Sequence, residues 1–573
     1  AHLIIFRAVD LAGAHRRFQD TGRSPTRARS NVTRMILRVV NLMIMRATTP
    51  VRSAIITILT TIHFFICPIA AYSASPIEAE NARPGDWTWV LTDPADHEIE
   101  GYASATSVNR GEPIRFFVNT TDPSFSIDIY RMGWYSGAGA RLVKGGIQRD
   151  GIRQKIPTPD PETGLVECDW VSSYDLTTEA TDNPSDWLSG VYLAKLTGSE
   201  GGKQSYIIFI VREDARPSDY LFQSSVTTYQ AYNSWGGKST YPSGGIDQQW
   251  AHQVSFNRPY ARSAHPQAAS GAGSGDFLTA TSIHPSSPIA PAGWEYNMVR
   301  WLERNGYDVT YSTNIDTHTN TKLWKGHKAW LSVGHDEYWS REMRTHVEDA
   351  RDHGVGLGFF SSNTCYWQIR LEPSALTGEP HRTMIAYKEM AREKDHYATD
   401  RDASNDHLVT SQWREPPVNN PEEDLIGVMY ESVPVDADVV VSQPSHRIFS
   451  GVSLPENGRL PGLLGYEVDR RFRPASSDLV VLAHSPYGLN GRTNYADMSL
   501  YVSSNGSMVF STGSMQWAWG LDDYNAPAIR TSRISPAAQQ ITKNVLALLV
   551  QSGRSRTFPV RQGMPLDVPA KRP

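Results

Sequence analysis

The sequence predicts an all-β segment followed by an α/β domain, on three observations. From about Trp87 to Arg212, short runs of β-branched and aromatic residues alternate with Gly, Pro, Asn and Asp, with no helical pattern between them. From Ser218 the period changes and strands alternate with helix-period segments. The stretch Lys328-Ala-Trp-Leu-Ser-Val-Gly-His-Asp-Glu-Tyr-Trp-Ser340, running on to Gly354, reads as strand, polar turn and helix. Its apolar run ends at Gly334, Ser340 stands as N-cap, Met343, Val347 and Ala350 recur at helical spacing, and Gly354 is the stop.

Composition bounds the function classes. The 573 residues, 40% hydrophobic and 20% charged, can bury a sizeable core in more than one domain. A formal net charge of -5 brings no basic excess of the kind that marks nucleic-acid binding. Residues 1–44 are Arg-rich and lack periodicity, and read as an over-extended start absent from the mature protein. Residues 45–74 read as a signal peptide, with Arg46 and Arg52 before an apolar run from Ala54 to Ile69 and a small-residue region at Ala71-Tyr-Ser-Ala-Ser75. The run approaches the ~17 residues that span a bilayer, but the small-residue region favours cleavage. The mature protein is therefore expected to be secreted or periplasmic, with no membrane segment after cleavage. Cys67 would leave with the signal, and Cys168 and Cys365 remain, able to pair in an exported protein.

Within the first domain, expected at 75–216, strands are predicted at 106–108, 113–119, 125–130, 190–196 and 204–211, as in an immunoglobulin-like β-sandwich. The loop from Tyr130 to Arg141 reads as a turn that docks one domain on the other, in preference to a lip over a site. The second domain, expected at 217–551, opens with a strand at 220–228 and a Gly-rich tip at 229–241. A Gly/Ser/Ala stretch at 268–275 reads as a mobile surface loop, 294–306 as an amphipathic helix and 307–313 as a strand. With the units at 328–354 and 355–367 this is a βαβαβ succession, hence a flavodoxin-like parallel sheet covered by helices. Further strands are expected at 436–442, 463–469, 479–484 and 507–513, a helix at 537–549, and a Pro/Arg-rich tail at 552–573. Ligands bind at the carboxyl ends of strands in such sheets. That singles out His335, Asp336, Glu337 and Tyr338 at one tip and Ser361 to Thr364 at the next, with the loops at 229–241 and 516–523 shaping the pocket.

Tyr229-Gln-Ala-Tyr-Asn, Gly293-Trp-Glu-Tyr-Asn-Met-Val-Arg-Trp-Leu-Glu, Gly334-His-Asp-Glu-Tyr-Trp-Ser, Phe360-Ser-Ser-Asn-Thr and Gly465-Tyr-Glu-Val-Asp resemble the large (β) subunit of N,N-dimethylformamidase and its relatives, over roughly residues 87–550. The resemblance implies an N-terminal β-sandwich, a second domain like class I glutamine amidotransferases, and a mononuclear iron held by two tyrosines and a glutamate. Carried over by motif, Tyr338 is one tyrosine, Tyr296 the best match for the other, and Glu422 the best match for the carboxylate, with Glu423 adjacent. It also implies a small partner subunit, which nothing in this chain encodes; a homo-oligomer is the alternative.

Phenolate and carboxylate oxygens suit a ferric ion (Fe3+), and three ligands leave positions open for water and a substrate carbonyl. His335, Glu337 or Glu467 could then serve as general base, with Glu467 preferred, and Asn363 could donate to the developing oxyanion. The expected function is an iron-dependent amidohydrolase acting on small N-substituted amides. Two other readings compete: Cys365 as nucleophile, which lacks the flanking glycines of a strand-to-helix elbow, and a non-catalytic secreted ligand-binding protein of the same fold.

Overall fold

Eight strands open the β-rich part of the computed structural model: β1 (Ile99–Ala103), β2 (Ser107–Asn109), β3 (Pro113–Thr120), β4 (Ser124–Met132), β5 (Ala140–Asp150), β6 (Tyr174–Thr177), β7 (Gly190–Gly198) and β8 (Gln204–Arg212). The structure describes residues 75–552 apart from 180–186, 243–249, 281–291 and 474–477. The expected start, the signal segment and nearly all of the 552–573 tail lie outside the described residues. The strands form a three-stranded sheet, β1-β3-β6, and a five-stranded sheet, β2-β8-β7-β4-β5. Ile114, Phe116 and Val118 of β3 share a core with Ile127 and Ile129 of β4, Tyr192 of β7 and Phe209 of β8. The other face of the larger sheet, with Tyr130, Met132, Leu193, Ile208 and Ile210, packs into the core of the α/β part. That double burial explains why β7 and β8 are nearly continuous apolar runs while β3 begins with alternation.

The α/β part carries β9 (Ser218–Ser224), β10 (Gln253–Ser255), β11 (Val309–Thr313), β12 (His327–His335), β13 (Tyr338–Ser340), β14 (Gly356–Ser362), β15 (Trp367–Glu372), β16 (Thr383–Ile385), β17 (Met429–Val440), β18 (Arg459–Arg470), β19 (Leu479–Leu489), β20 (Arg492–Val502) and β21 (Met508–Ser511). Its central sheet runs β11-β9-β12-β14-β21-β20-β19. The five strands from β11 to β21 are parallel, and β20 and β19 extend them antiparallel. Two smaller sheets, β10-β16-β15-β13 and β17-β18, stand apart from it. The protein is thus a mixed β plus α/β molecule. Among the described residues no helix is long and apolar enough to cross a membrane.

The helices that place the site are α1 (Val226–Tyr232), α2 (Glu295–Arg304), α3 (Asn314–Thr319) and α4 (Arg341–Asp352). Ser340 caps α4 by accepting from the Met343 amide at 3.1 Å, while Met343, Val347 and Ala350 are buried. Two sequence expectations fail. Residues 226–228, read as strand for their β-branched side chains, form the first turn of α1, because burial on every side overrides their propensity. The stretch 268–275 is mostly buried: its small residues permit backbone contact, and a Cβ on Gly273 would lie 2.1 Å from the Tyr206 carbonyl oxygen.

The loop at 130–141 docks. Arg131 makes two parallel bonds to Glu303 of α2, Nη2 to Oε1 at 2.8 Å and Nη1 to Oε2 at 2.9 Å, and both side chains are 0% exposed. Glu303 also accepts from Tyr311 at 2.9 Å and from Asn81 at 2.8 Å. Removing one partner of such a pair strands a buried charge, so Glu303→Ala should cost about 3–5 kcal/mol. Removing Glu379, whose side chain is 57% exposed beside an Arg115 that is 51% exposed, should cost under about 1 kcal/mol, both losses being read by urea titration.

A second outcome follows from His327 at the start of β12. Its Nδ1 lies 2.8 Å from Ser218 Oγ, and burial lowers the imidazole from 6.5 to about 4. The neutral ring's contribution is present above pH 6.5 and lost as pH falls toward 4, on the order of 3 kcal/mol in all. The urea midpoint of His327→Gln should therefore fall less than that of the wild type over this interval.

Candidate functional site

The carboxyl ends of β9, β12 and β14 converge with β18 on one polar cluster. β12 delivers His335 past Gly334, where a φ of +72° and a Trp294 Cβ that would lie only 2.8 Å from an added Cβ exclude a side chain. Asp336 then anchors the turn. Fully buried, it accepts from Gln223 of β9 (2.8 Å), Ser332 of β12 (2.9 Å) and Asn314 of α3 (2.9 Å). The Glu337 amide donates to Thr228 of α1 at 2.9 Å, which brings its carboxylate to the end of that helix.

There Glu337 meets two phenols. Tyr232 donates to its Oε2 at 2.9 Å and Tyr241 to its Oε1 at 3.0 Å, and the two hydroxyls are 2.9 Å apart with their rings stacked. Tyr338, on β13, donates to the Tyr241 hydroxyl at 2.7 Å. On the other side His335 Nε2 stands 3.2 Å from both Glu337 Oε2 and Glu467 Oε2, aligned as a hydrogen bond with neither. Asp469, two residues along β18 from Glu467 and so on the same face, accepts from Ser362 Oγ at 2.7 Å and the Asn363 amide at 2.8 Å. This fixes the neighbouring tip, where Asn363 takes a φ of +53° and its Oδ1 has no partner among the described residues.

Burial alone would discharge His335, but the charges of Glu467 and Glu337 more than reverse it and hold the imidazolium well above its usual range. Burial likewise pushes Glu337 up, and His335 with Lys388 brings it below the usual carboxylate value. The phenols of Tyr232, Tyr241 and Tyr338 are raised by burial and by the Glu337 charge. Lys388 Nζ lies 3.4 Å from the Tyr241 ring centroid and donates to the Thr240 carbonyl at 2.9 Å; burial lowers its ammonium to about 8.

Of the residues expected from sequence, His335, Glu467 and Tyr338 meet in this cluster, and Asn363 lies on the adjoining tip. Tyr296 does not join them: it is fully buried between Trp89 and Tyr524, and its hydroxyl donates to the Gly139 carbonyl at 2.6 Å. Glu422 does not either, because Arg414 holds its carboxylate at 2.7 Å, and Glu423 accepts from the amides of Phe472 and Arg473. Cys168 and Cys365 are unpaired, and burial raises the Cys365 thiol well above its usual value, against a thiolate nucleophile. Sequence reasoning missed Tyr232, Tyr241, Lys388 and Asp469. The signal available for the first two was their position in the segment following β9.

Fold and site define a mixed β plus α/β protein that gathers phenol, carboxylate and imidazole groups at the ends of its parallel strands. Residues 126–529 match the family described as N,N-dimethylformamidase beta subunit-like, C-terminal, and the chain belongs to that dimethylformamidase-like family. Comparison with curated proteins finds no match. Among solved structures, a Pseudomonas fluorescens alkylpurine DNA glycosylase AlkC, bound to DNA containing an abasic site analog, is 14% identical over 20% of this chain and 30% of that one. Its TM-score of 0.13 carries no argument.

Asp336 tests the construction of the site. Asp336→Ala leaves three side-chain donors buried without their acceptor, which should cost about 2–4 kcal/mol. Amide exchange should speed up first in residues 335–338 if this carboxylate holds the turn.

Proposed function

We propose that the chain is an iron-dependent amidohydrolase, cleaving the C–N bond of small N-substituted amides at the cluster around Glu337. The observation that supports this reading is the donor set. Among the described residues no group of three His, Cys, Asp or Glu is placed to hold a metal. Two phenol oxygens and one carboxylate nevertheless converge within about 3 Å of one another at Tyr232, Tyr241 and Glu337. Hard oxygen donors of this kind fit a ferric ion, so Tyr232 and Tyr241 take the ligand roles that the resemblance implies for Tyr338 and Tyr296, and Glu337 takes that of Glu422. Bound there, the ion would supply Lewis acidity toward an amide carbonyl and toward water.

The chain's own residues do the remaining work. Glu467, whose Oε2 has no hydrogen-bond partner among the described residues, takes a proton from the attacking water. The His335 imidazolium gives a proton to the departing amine nitrogen as the C–N bond breaks, leaving a carboxylic acid and an amine. Asn363, set by Asp469, donates to the developing oxyanion. Tyr338 positions Tyr241 through its hydroxyl. In the same reading the first two sheets form an immunoglobulin-like sandwich and the parallel sheet a flavodoxin-like domain of the class I glutamine amidotransferase type. The signal-like pattern at 45–74 supports export, and the family's β-subunit description supports assembly with a further subunit.

Protein from iron-replete cells should carry about one iron per chain and be coloured by phenolate-to-iron charge transfer. Tyr232→Phe or Tyr241→Phe should remove the colour and lower hydrolysis of a panel of formamides at least about 100-fold, as loss of a ligand does. Tyr338→Phe should shift the band and keep the iron, and Tyr296→Phe should alter neither. A colourless wild type that binds no added iron and cleaves no amide would overturn the proposal in favour of a ligand-binding protein.

A further inference from the structure

A cavity of about 550 Å3 opens between the β-rich part and the loops at 234–237 and 259–262, and neither the phenols, Glu337, His335 nor Glu467 lines it. Two of its wall residues are held back from the protein's own hydrogen bonding. Ser205, on β8, is 4% exposed and its hydroxyl has no partner among the described residues. Arg262 is half-buried, and among the described residues its guanidinium meets neither an ion-pair nor a hydrogen-bond partner. An unpaired cation against a low-dielectric wall attracts a planar anion strongly, and the guanidinium fork matches a carboxylate in two bonds. The same lining also carries Asp96 and Glu100. Glu100 is saturated by Trp235 Nε1 at 2.7 Å, His97 Nδ1 at 2.8 Å and Asn119 at 3.2 Å. Asp96 is exposed and free to face a cation. Charge of both signs argues against a simple anion, and the volume exceeds that of one carboxylate.

We infer that this cavity binds a small zwitterion of amino-acid to dipeptide size, with its carboxylate on Arg262 and Ser205 and its ammonium toward Asp96. The site is distinct from the amide-cleaving cluster, and binding rather than turnover reads it out.

Calorimetric titration of the full chain with L-alanyl-L-alanine, its C-terminal amide and its N-acetyl derivative tests the inference. The free dipeptide should bind, the two capped forms should bind about tenfold more weakly or worse, and Arg262→Ala should weaken the free dipeptide about tenfold. Ser205→Ala should weaken it several-fold, and Tyr241→Phe should leave it unchanged, which separates this cavity from the other site. Absence of dipeptide binding, equal binding of either capped form, or equal binding by Arg262→Ala would overturn it. If Arg262→Ala does not fold, Ser205→Ala and the amide-capped peptide still decide.

Discussion

Asp336 is a buried carboxylate that no cation bonds among the described residues, and three neutral side chains from β9, β12 and α3 hold it in place. Burial makes such a group costly unless every lone pair is used, so Gln223, Ser332 and Asn314 have little freedom to move. That constraint propagates. With Asp336 turned inward, its neighbours His335 and Glu337 are presented at the strand tip, one toward Glu467 and the other toward two phenols. Backbone bonds from Cys365 to Asp336 and from Tyr366 to Glu337 then tie the next tip to the first. Asp469 repeats the device from β18, and burial raises it to about 7 while the Asn363 amide and Ser362 oppose the rise.

The second constraint lies at the join of the two halves. The central strands β7 and β8 of the five-stranded sheet are buried on both faces, one by the sister sheet and one by the α/β part. Arg131, fully buried on the face that meets the α/β part, is left without water and is held there by its own partner Glu303. Tyr296 belongs to this join, and its hydroxyl bond to Gly139 uses a close approach that a side chain at 139 would block.

Legibility followed sequence distance. The strand, turn and helix around Gly334 could be read because each signal is local: an apolar run, a cap and a period. His335 and Glu337 were visible for the same reason. Tyr232 and Tyr241 come from a segment about a hundred residues away whose register no local signal sets, and Lys388 from a short turn with no pattern at all. Tyr296 and Glu422 occupied plausible motifs, but a motif does not say which way a buried side chain points. Strands β1 and β6 escaped because so short a strand shows too few alternations to be seen, and β5 because it is largely exposed.

The α1 helix shows how one short segment serves two places. Tyr232 ends it and supplies a phenol to Glu337, and Asn233 follows immediately. Asn233 Oδ1 accepts from the amides of Trp235 and Ala261, at 3.1 Å and 2.9 Å, and its Nδ2 donates to the Pro259 carbonyl at 2.9 Å. Those three residues line the cavity beyond. A fully buried amide satisfied on both its atoms leaves the helix end no alternative arrangement, so the wall of the cavity and the position of the Tyr232 ring are set by the same side chain.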